Sequence, residues 1–293
     1  MDDFSGKIAV ITGGGDGMGR QMAIQLATAG CHVAICDIFD ETLAETKRLC
    51  ESAAPAGVQI STHICDVGVE ADILRFRDEV LEAHRTKHIN LLFNNAGIGG
   101  GASVIASPRE TWDRTFDVCW GGVYWGVRAF MDALVASDEA VIVNTSSVNG
   151  FWASLGPQVA HTSYSAAKFA VKGFTEALIT DLQINAPHVR AAVVMPGHIG
   201  TGIAGNSVLA HGATATADAA ERAAQFRNSA PTTAAEAATI ILDAVRAGAW
   251  RILVGEDAHV LDLAVRKDPE EAYDDNFRDR LGEHLQGIPR SSD

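Results

Sequence analysis

Short apolar runs alternate with amphipathic stretches along the 293-residue chain, and this alternation restricts the fold more than any other feature. Such runs are typical of strands buried on both faces, and intervening helices require the strands to lie parallel. The sequence therefore predicts one α/β domain, 1–293, with a doubly wound, mostly parallel seven-stranded sheet and helices on both faces. The predicted strands are 7–12, 32–36, 58–65, 89–93, 140–145, 189–195 and 251–255.

Helix-start signals place several helices between these strands. Ser107, Pro108 and Glu110 predict an N-cap, a first-turn proline and a capping-box glutamate for a helix reaching about residue 135. Thr233 and Glu236 predict a second capping box.

Two segments interrupt the alternation of strands and helices. Residues 198–230 are rich in Ala, Gly and Thr, and we expect them to form a mobile lid over a substrate. Residues 257–293 form a charged C-terminal extension, in which Asp268, Pro269 and Glu270 predict a helix start.

Composition excludes several classes of partner. The formal net charge is −14 and basic residues do not cluster, which argues against nucleic acid or an anionic membrane as the main partner. No apolar stretch is long enough to predict a membrane span.

The five cysteines form no CxxC pair, so we expect a reduced, cytoplasmic protein without a disulfide framework or zinc site. His84 and His88 could form a metal pair or a solvated helix face; without a third ligand we predict no metal site.

A glycine-rich turn separates the first predicted strand from the first predicted helix. Glycines let such a turn bend sharply and approach a pyrophosphate, which the N–H groups and positive end of the helix then bind. An ordinary glycine-rich loop has the same composition, but the position between strand and helix favours a dinucleotide site. The turn reads Thr12-Gly13-Gly14-Gly15-Asp16-Gly17-Met18-Gly19.

Asp37, at the end of the second predicted strand, supports the same site. An acidic side chain at this position accepts hydrogen bonds from ribose hydroxyls and repels a 2′-phosphate. Neither Ile38 nor Phe39 supplies a cation, and Asp16 adds negative charge within the turn. The sequence therefore predicts NAD rather than NADP, the alternative being that Asp37 is a plain loop carboxylate.

Tyr164 and Lys168 lie four residues apart on a predicted helix and so share one face. A phenol, with an ordinary pKa of about 10, is a poor base at neutral pH. A nearby ammonium, an oxidised nicotinamide and a helix N-terminus all favour phenolate, so we expect a lowered pKa for Tyr164. The pair could then move a proton to or from a substrate oxygen, although most such pairs belong to a solvated helix face.

Six ordered motifs make residues 4–255 resemble the short-chain dehydrogenase/reductase family. The resemblance implies a Rossmann-type fold, in which ligands bind at the carboxyl ends of the strands. The motifs are residues 12–19 (TGxxxGxG), Asp66-Val67, Asn94-Asn95-Ala96-Gly97 (NNAG), Ser146-Ser147, residues 164–168 (YxxxK) and residues 196–201 (PGxxxT).

The resemblance also implies a role for each motif. Ser147 would hydrogen-bond the substrate oxygen, Tyr164 would exchange its proton, and Lys168 would hold the nicotinamide ribose and lower the Tyr164 pKa. Residues 196–201 would position the nicotinamide carboxamide, while the hydride chemistry belongs to the cofactor. The implied cofactor-binding residues are Gly13, Gly15, Asp16, Gly17, Met18, Gly19, Asp37, Asp66, Val67, Asn94, Ala96, Gly97, Tyr164, Lys168, Pro196, Gly197, Ile199 and Thr201.

Cys119 stands where the family usually carries an asparagine that anchors a water in a proton relay behind the lysine. A thiol is a weak hydrogen-bond partner, so either the relay is rearranged, for example through a backbone carbonyl, or turnover is reduced. A redox role is the remaining alternative, although a mid-helix cysteine is more often a small buried hydrophobe. The 17 residues from Ser147 to Tyr164 are also more than the family usually has, which predicts a widened or covered substrate pocket.

These residues predict an oxidoreductase that transfers hydride between NAD and a mainly apolar secondary alcohol or ketone. His161 and His198 flank the predicted pocket, where each either contacts substrate or faces solvent. The candidate substrate residues are Ser147, Trp152, Leu155, His198 and Ile203.

Family members usually pair through the helix after strand four and the Tyr–Lys helix, so we expect a homodimer or homotetramer. Gly121, Gly122 and Gly126 fit a close approach there by another backbone or a ligand. The rival hypothesis is a dinucleotide-binding protein with little catalysis, acting as a sensor or assembly subunit, and only Cys119 favours it.

Overall fold

A computed structural model describes residues 1, 3–100, 102–154, 159–214 and 216–282. The strands are β1 (Ile8–Thr12), β2 (His32–Asp37), β3 (Ile60–Ile64), β4 (Leu91–Asn94), β5 (Ala140–Thr145), β6 (Val189–Pro196), β7 (Ile199–Gly200), β8 (Thr232–Thr233) and β9 (Arg251–Val254). The α-helices are α1 (Gly17–Thr28), α2 (Asp40–Ala53), α3 (Glu70–Ala83), α4 (Arg109–Phe116), α5 (Gly122–Val135), α6 (Thr162–Asn185), α7 (Ile203–Ala210), α8 (Ala217–Asn228), α9 (Ala234–Arg246), α10 (Glu256–Lys267) and α11 (Phe277–Arg280).

The main sheet has seven parallel strands in the order β3-β2-β1-β4-β5-β6-β9, and β7 and β8 pair separately. This arrangement confirms the predicted Rossmann-type α/β fold. From β1 the chain adds β2 and β3 on one side and β4 onward on the other. The order of the strands therefore reverses between β1 and β4, where open α/β sheets bind ligands.

Each face of the sheet carries its own apolar cluster. In β1, Ile11 packs into the cluster that contains Leu26 of α1 and Leu242 of α9. Val10 points to the opposite face and packs into the cluster that contains Phe130 of α5. Burial on both faces explains the uninterrupted apolar runs of inner strands such as β1 and holds their carboxyl ends in fixed positions.

The helix predicted to reach residue 135 consists of α4, a π-helical turn (Asp117–Gly121) and α5. The start predicted for this helix is wrong in detail, because α4 begins after Pro108 with no side-chain cap. The Ser107 hydroxyl instead accepts a hydrogen bond from the Ser103 N–H at 2.9 Å, which closes a preceding turn. The capping box of Thr233 and Glu236 at α9 is confirmed.

The described part of the C-terminal extension, residues 257–282, contains helices that the prediction of a charged extension did not include. Gly255, with φ +96°, turns the chain from β9 directly into α10, and Asp268 follows the end of this helix rather than beginning one. The charges on α10 concealed its apolar face, where Leu261 packs with Trp152 and Phe277 in a third cluster. A 3-10 turn (Glu271–Tyr273) connects α10 to the last described helix.

The predicted lid contains β7, α7 and α8, with residue 215 outside the described part of the chain. Among the helices that the structure describes, none combines the length and the apolar character needed to span a membrane.

Candidate active site

The glycine-rich turn and Asp37 meet at the carboxyl ends of β1 and β2. Asp37 Oδ2 accepts a hydrogen bond from the Gly15 N–H at 3.0 Å, and Oδ1 accepts one from the Ile38 N–H at 2.8 Å. Burial raises the pKa of Asp37, whereas these N–H groups lower it. The carboxylate is thereby held at the wall of a cavity that the turn also lines.

Helix α1 begins at this cavity without a side-chain cap. Asp16 precedes the helix, but its Oδ2 accepts a hydrogen bond from Asn206 Nδ2 at 3.2 Å and lies 3.6 Å from Arg227 Nη2. Gly17 and Met18, the first residues of α1, line the cavity. The uncapped N–H groups and the positive end of α1 are therefore suited to an anion.

Gly13 and Gly19 let the backbone approach closely around this turn. A Cβ on Gly13 would lie 2.8 Å from Ala96 Cα, and one on Gly19 would overlap the Gly13 carbonyl oxygen. Gly15 and Gly19 support the turn from outside the cavity lining, so the structure gives these two predicted cofactor residues a packing role.

After β4 the structure places Asn95, rather than Asn94, at the cavity. Contrary to expectation, Asn94 is buried and its Nδ2 donates to Asn144 Oδ1 at 2.8 Å, which joins β4 to β5. The Asn94 side chain also fills the space beside Gly126, so the close approach expected at that glycine involves a side chain. Asn95 Nδ2 donates to the Thr12 carbonyl oxygen at 3.1 Å. Successive side chains along a strand point to opposite faces, and this alternation along β4 could have indicated which of the two asparagines faces the cavity.

Asp66 and Val67 line the same cavity, as predicted, together with Arg114, which the motifs did not identify. Arg114 Nη2 lies 2.9 Å from Asp66 Oδ2. Arg114 is on α4, far from Asp66 in the chain, so sequence spacing carried no signal for this pair.

Ser147, Tyr164 and Lys168 are brought together in the lining of a second cavity of about 540 Å³. The Ser147 hydroxyl is hydrogen-bonded to Tyr164, and its oxygen accepts the Asn149 N–H at 3.1 Å. Lys168 Nζ lies 5.4 Å from the centroid of the Tyr164 ring and donates to the Thr145 carbonyl oxygen at 2.9 Å. A hydroxyl, a phenol and an ammonium thus converge as acid/base chemistry at one substrate oxygen requires.

The protein's own groups do not lower the pKa of Tyr164 as the sequence predicted. Burial raises this pKa well above its ordinary value, with a smaller contribution from Cys119, and the hydrogen bond from Ser147 offsets only part of the increase. Burial also lowers the pKa of Lys168. Loss of water around the phenolate therefore outweighs the favourable groups beside it.

Cys119 is fully buried in the π-helical turn, near Tyr164 and Lys168. Its Sγ donates to the Ile98 carbonyl oxygen at 3.3 Å, which ties the turn to the segment after β4. A Cβ placed on Gly97 would lie 3.5 Å from Lys168 Nζ and 3.8 Å from Cys119 Sγ. The thiol therefore lies close to the lysine, where the resemblance places the usual asparagine.

Residues 196–201 form a wall of the second cavity. Pro196, Gly197 and Ile199 line it, and Thr201 lines both cavities. A Cβ on Gly17 would lie 3.0 Å from Thr201 Cβ, so this loop faces the start of α1 directly.

Three of the predicted substrate residues besides Ser147 also line the second cavity: Trp152, His198 and Ile203. Leu155 lies outside the described residues. Trp152 is only 2% exposed, and its Nε1 donates to the Ala272 carbonyl oxygen at 2.7 Å, so it is chiefly a supporting wall.

The two histidines that flank the predicted pocket both line this cavity. The ring of His161 lies 4.9 Å from that of Tyr164, and burial lowers the pKa of His161 to about 4. His198 Nε2 lies 2.7 Å from the Phe226 carbonyl oxygen. Both rings therefore belong to the pocket wall rather than to a solvated loop.

Within the described residues, no group of three or more His, Cys, Asp or Glu side chains is placed to hold a metal ion. His84, from the candidate metal pair, is hydrogen-bonded through Nε2 to the Ser61 hydroxyl at 3.0 Å.

The two cavities adjoin and suit an elongated dinucleotide. The uncapped end of α1, whose free N–H groups suit a pyrophosphate, lies between Asp37 in one cavity and Tyr164 in the other. The residues that line both cavities are Met18, Asn95, Gly97, Thr201 and Ile203.

Comparison with known proteins agrees with this geometry. Residues 7–211 match the short chain dehydrogenase family. A putative oxidoreductase of Mycobacterium tuberculosis, SadH, is 35% identical over 268 residues, which cover 91% of this chain and 92% of SadH. Human epidermal retinol dehydrogenase 2 is 31% identical over 203 residues, which cover 69% of this chain and 63% of that protein.

A solved structure shares both the fold and the sequence pattern. It is a short chain dehydrogenase/reductase from Burkholderia phymatum in complex with NAD, with a TM-score of 0.79 and 33% identity. The comparison covers 92% of this chain and 95% of that one. The chain therefore belongs to the short-chain dehydrogenase/reductase family of oxidoreductases.

Proposed function

We propose that the protein interconverts a secondary alcohol and a ketone with NAD as its hydride carrier. The placement of Ser147, Tyr164 and Lys168 in one cavity, next to the cleft around the glycine-rich turn, carries this proposal. When bound, NAD supplies the hydride acceptor, and its oxidised nicotinamide adds positive charge near Tyr164.

Side chains of the second cavity transfer the proton to and from the substrate oxygen. During alcohol oxidation, Ser147 holds the substrate oxygen and the Tyr164 phenolate takes the hydroxyl proton; during ketone reduction, the neutral phenol returns it. Lys168 favours the phenolate by its positive charge and holds the nicotinamide ribose. Cys119 anchors the π-helical turn behind Lys168 through the Ile98 carbonyl.

Asp37 supports the choice of NAD over NADP. Two backbone N–H groups hold its carboxylate at the cavity wall. There the carboxylate would accept hydrogen bonds from the ribose hydroxyls of NAD and repel the 2′-phosphate of NADP. The wild-type protein should show a higher kcat/KM with NAD, and Asp37→Ala should narrow that difference. A preference of the wild-type protein for NADP would contradict this assignment.

The lining of the second cavity supports a bulky, mainly apolar substrate, since apolar contact area dominates small-molecule sites. Retinol, named for the human relative, is an apolar alcohol. Turnover should therefore rise along a series of increasingly bulky apolar alcohols. The apolar lining residues are Met18, Val148, Trp152, Val159, Ala160, Pro196, Ile199, Ile203, Ala204, Val208 and Phe226.

The helices α5 and α6 support assembly into a homodimer or homotetramer. Trp120 of the π-helical turn, Tyr124 of α5 and Phe174 of α6 form an aromatic cluster, and Tyr124 is 38% exposed. Sedimentation should show a dimer or tetramer; a monomer at micromolar concentration would contradict the assignment.

Tyr164→Phe tests the mechanism, because it removes the proton-exchanging hydroxyl and keeps the ring. We expect the rate of NADH formation from apolar secondary alcohols to fall roughly 10²–10⁴-fold. Tyr124→Phe is the matched control on α5 and should leave the rate unchanged. Unchanged turnover in Tyr164→Phe would disprove the mechanism, and tight NAD binding without turnover across a broad panel would favour the noncatalytic rival.

A further inference from the structure

Asp257, in the first turn of α10, directs a buried carboxylate at the loop formed by residues 196–201. Only 2% of the residue is exposed. Its Oδ2 accepts a hydrogen bond from the His198 N–H at 2.6 Å. The preceding N–H, that of Gly197, donates to the Val254 carbonyl oxygen at 2.9 Å, the last backbone hydrogen bond between this segment and β9. The His198 N–H, next along the chain, therefore donates to a side chain instead of to a strand. The carboxylate thus continues the pairing where β9 gives way to α10.

The same carboxylate explains why residue 197 is a glycine. A Cβ on Gly197 would overlap both carboxylate oxygens of Asp257, and one on Gly255 would lie 2.5 Å from Oδ1. The side chain is therefore enclosed between two backbone segments, one from the loop and one from the start of α10. Neither the loop nor the carboxylate can move here without displacing the other.

Stability by itself does not account for a carboxylate at this position. Burying a charge costs free energy, and the pKa of Asp257 is raised by burial despite the N–H groups of His198 and Ala258. A neutral oxygen acceptor would satisfy the His198 N–H at a smaller desolvation cost. A charged acceptor does hold an N–H group more tightly than a neutral one.

We propose that Asp257 is a positioning residue, which holds the 196–201 loop in place for the nicotinamide end of the cofactor. The inference rests on the proposed function, because it assigns the loop to the nicotinamide. The loop lines the cavity that contains Tyr164 and Lys168, whereas Asp37 and the glycine-rich turn lie around the other cavity. Releasing the loop should therefore weaken binding of the nicotinamide half and leave the adenosine half unaffected.

Ligand pairs separate these two halves, since ADP-ribose carries the adenosine diphosphate ribose of NADH without the nicotinamide. Calorimetric titration of Asp257→Asn should show NADH binding weakened about fivefold, the loss expected when a charge-assisted hydrogen bond to the His198 N–H is exchanged for a neutral one. ADP-ribose binding should stay within about twofold of wild type. An equal loss for both ligands, or none for NADH, would overturn the inference, as would equal wild-type affinity for the two ligands.

Asp262→Asn is the matched control on the same helix. Asp262 is also buried, but its carboxylate pairs with Arg251 and Arg266, away from the loop. The ratio of NADH to ADP-ribose affinity should be that of the wild-type protein in this variant. Gly197→Ala is a second perturbation. Its added methyl group would overlap the Asp257 carboxylate and displace the loop, so this variant should show the same selective loss of NADH affinity.

Hydrogen–deuterium exchange tests the loop without any cofactor. The amides of residues 197–201 should exchange faster in Asp257→Asn and remain protected in Asp262→Asn. Unchanged exchange in Asp257→Asn would show that the carboxylate does not hold the loop, even if the proposed function is right. Failure of the proposed function has a different signature, in which the wild-type protein either binds neither ligand or binds NADH without oxidising any alcohol of the panel.

Discussion

Replacing Cys119 by asparagine tests whether the buried thiol is a passive anchor or part of the proton path behind Lys168. The thiol makes one weak hydrogen bond, to the Ile98 carbonyl oxygen at 3.3 Å. An asparagine amide can replace it with an N–H···O bond worth about 0.5–1.5 kcal/mol. Its added carbonyl oxygen must be buried in the same place, which costs roughly 1–3 kcal/mol if no donor reaches it. We therefore expect a folded variant that is destabilised by up to about 2.5 kcal/mol.

The catalytic rate should respond differently from the stability. If the thiol only anchors the turn, Cys119→Asn keeps or raises kcat for NAD-dependent alcohol oxidation, because the asparagine restores a stronger anchor near Lys168. The assay is kcat measured from pH 6 to 10, with urea unfolding of the same samples. Since burial raises the pKa of Tyr164, oxidation by both proteins should accelerate as pH rises through this range.

Cys119→Ala is the matched control. It leaves the Ile98 carbonyl oxygen without its donor, which should cost roughly 1–3 kcal/mol of unfolding free energy, with kcat close to that of the wild-type protein. A collapse of kcat in both variants, with the fold retained, would refute the reasoning and show that the thiol is needed for turnover.

Three further predictions follow from buried groups. Burial raises the pKa of both Cys31 and Cys50 to about 12, so a thiol reagent should label them far more slowly in the folded protein than in urea; equal rates would contradict this. Burial lowers the pKa of His84 from 6.5 to about 4, so its contribution to stability is present above pH 6.5 and lost as the pH falls towards 4. His84→Gln should accordingly flatten the decline of the urea midpoint between pH 7 and 5, and an unchanged slope would exclude His84 as its source. Trp152→Phe leaves the Ala272 carbonyl oxygen without its donor and should cost roughly 1–3 kcal/mol in urea unfolding, an expectation that full stability would disprove.

The features that the sequence predicted correctly are local or periodic. The predictions located all seven strands of the main sheet, and apolar runs marked the inner ones, because a strand buried on both faces is apolar along most of its length. The sequence also predicted that Ser147, Tyr164 and Lys168 act together, and the structure places all three in the lining of one cavity. Ser147 was singled out because it follows the end of β5, and Tyr164 and Lys168 because of their four-residue spacing on one helix and their match to the YxxxK motif.

The features that the sequence missed depend on contacts between distant segments. Asp257 reaches His198, and Trp152 reaches Ala272, through packing of α10 and the following residues against loops more than fifty positions earlier. No periodicity encodes such pairs, and the charges of the C-terminal extension concealed its apolar face.

For Tyr164, the sequence predicted one property and the tertiary structure decided another. Its identity and its spacing from Lys168, together with the surrounding motifs, led to the prediction of an acid/base pair. The direction of its pKa shift was decided by burial, which depends on how many elements close around the ring. The sequence thus determined which groups carry the chemistry, whereas the tertiary structure decided their protonation and the loops that hold them, because desolvation and positioning arise only when distant segments pack together.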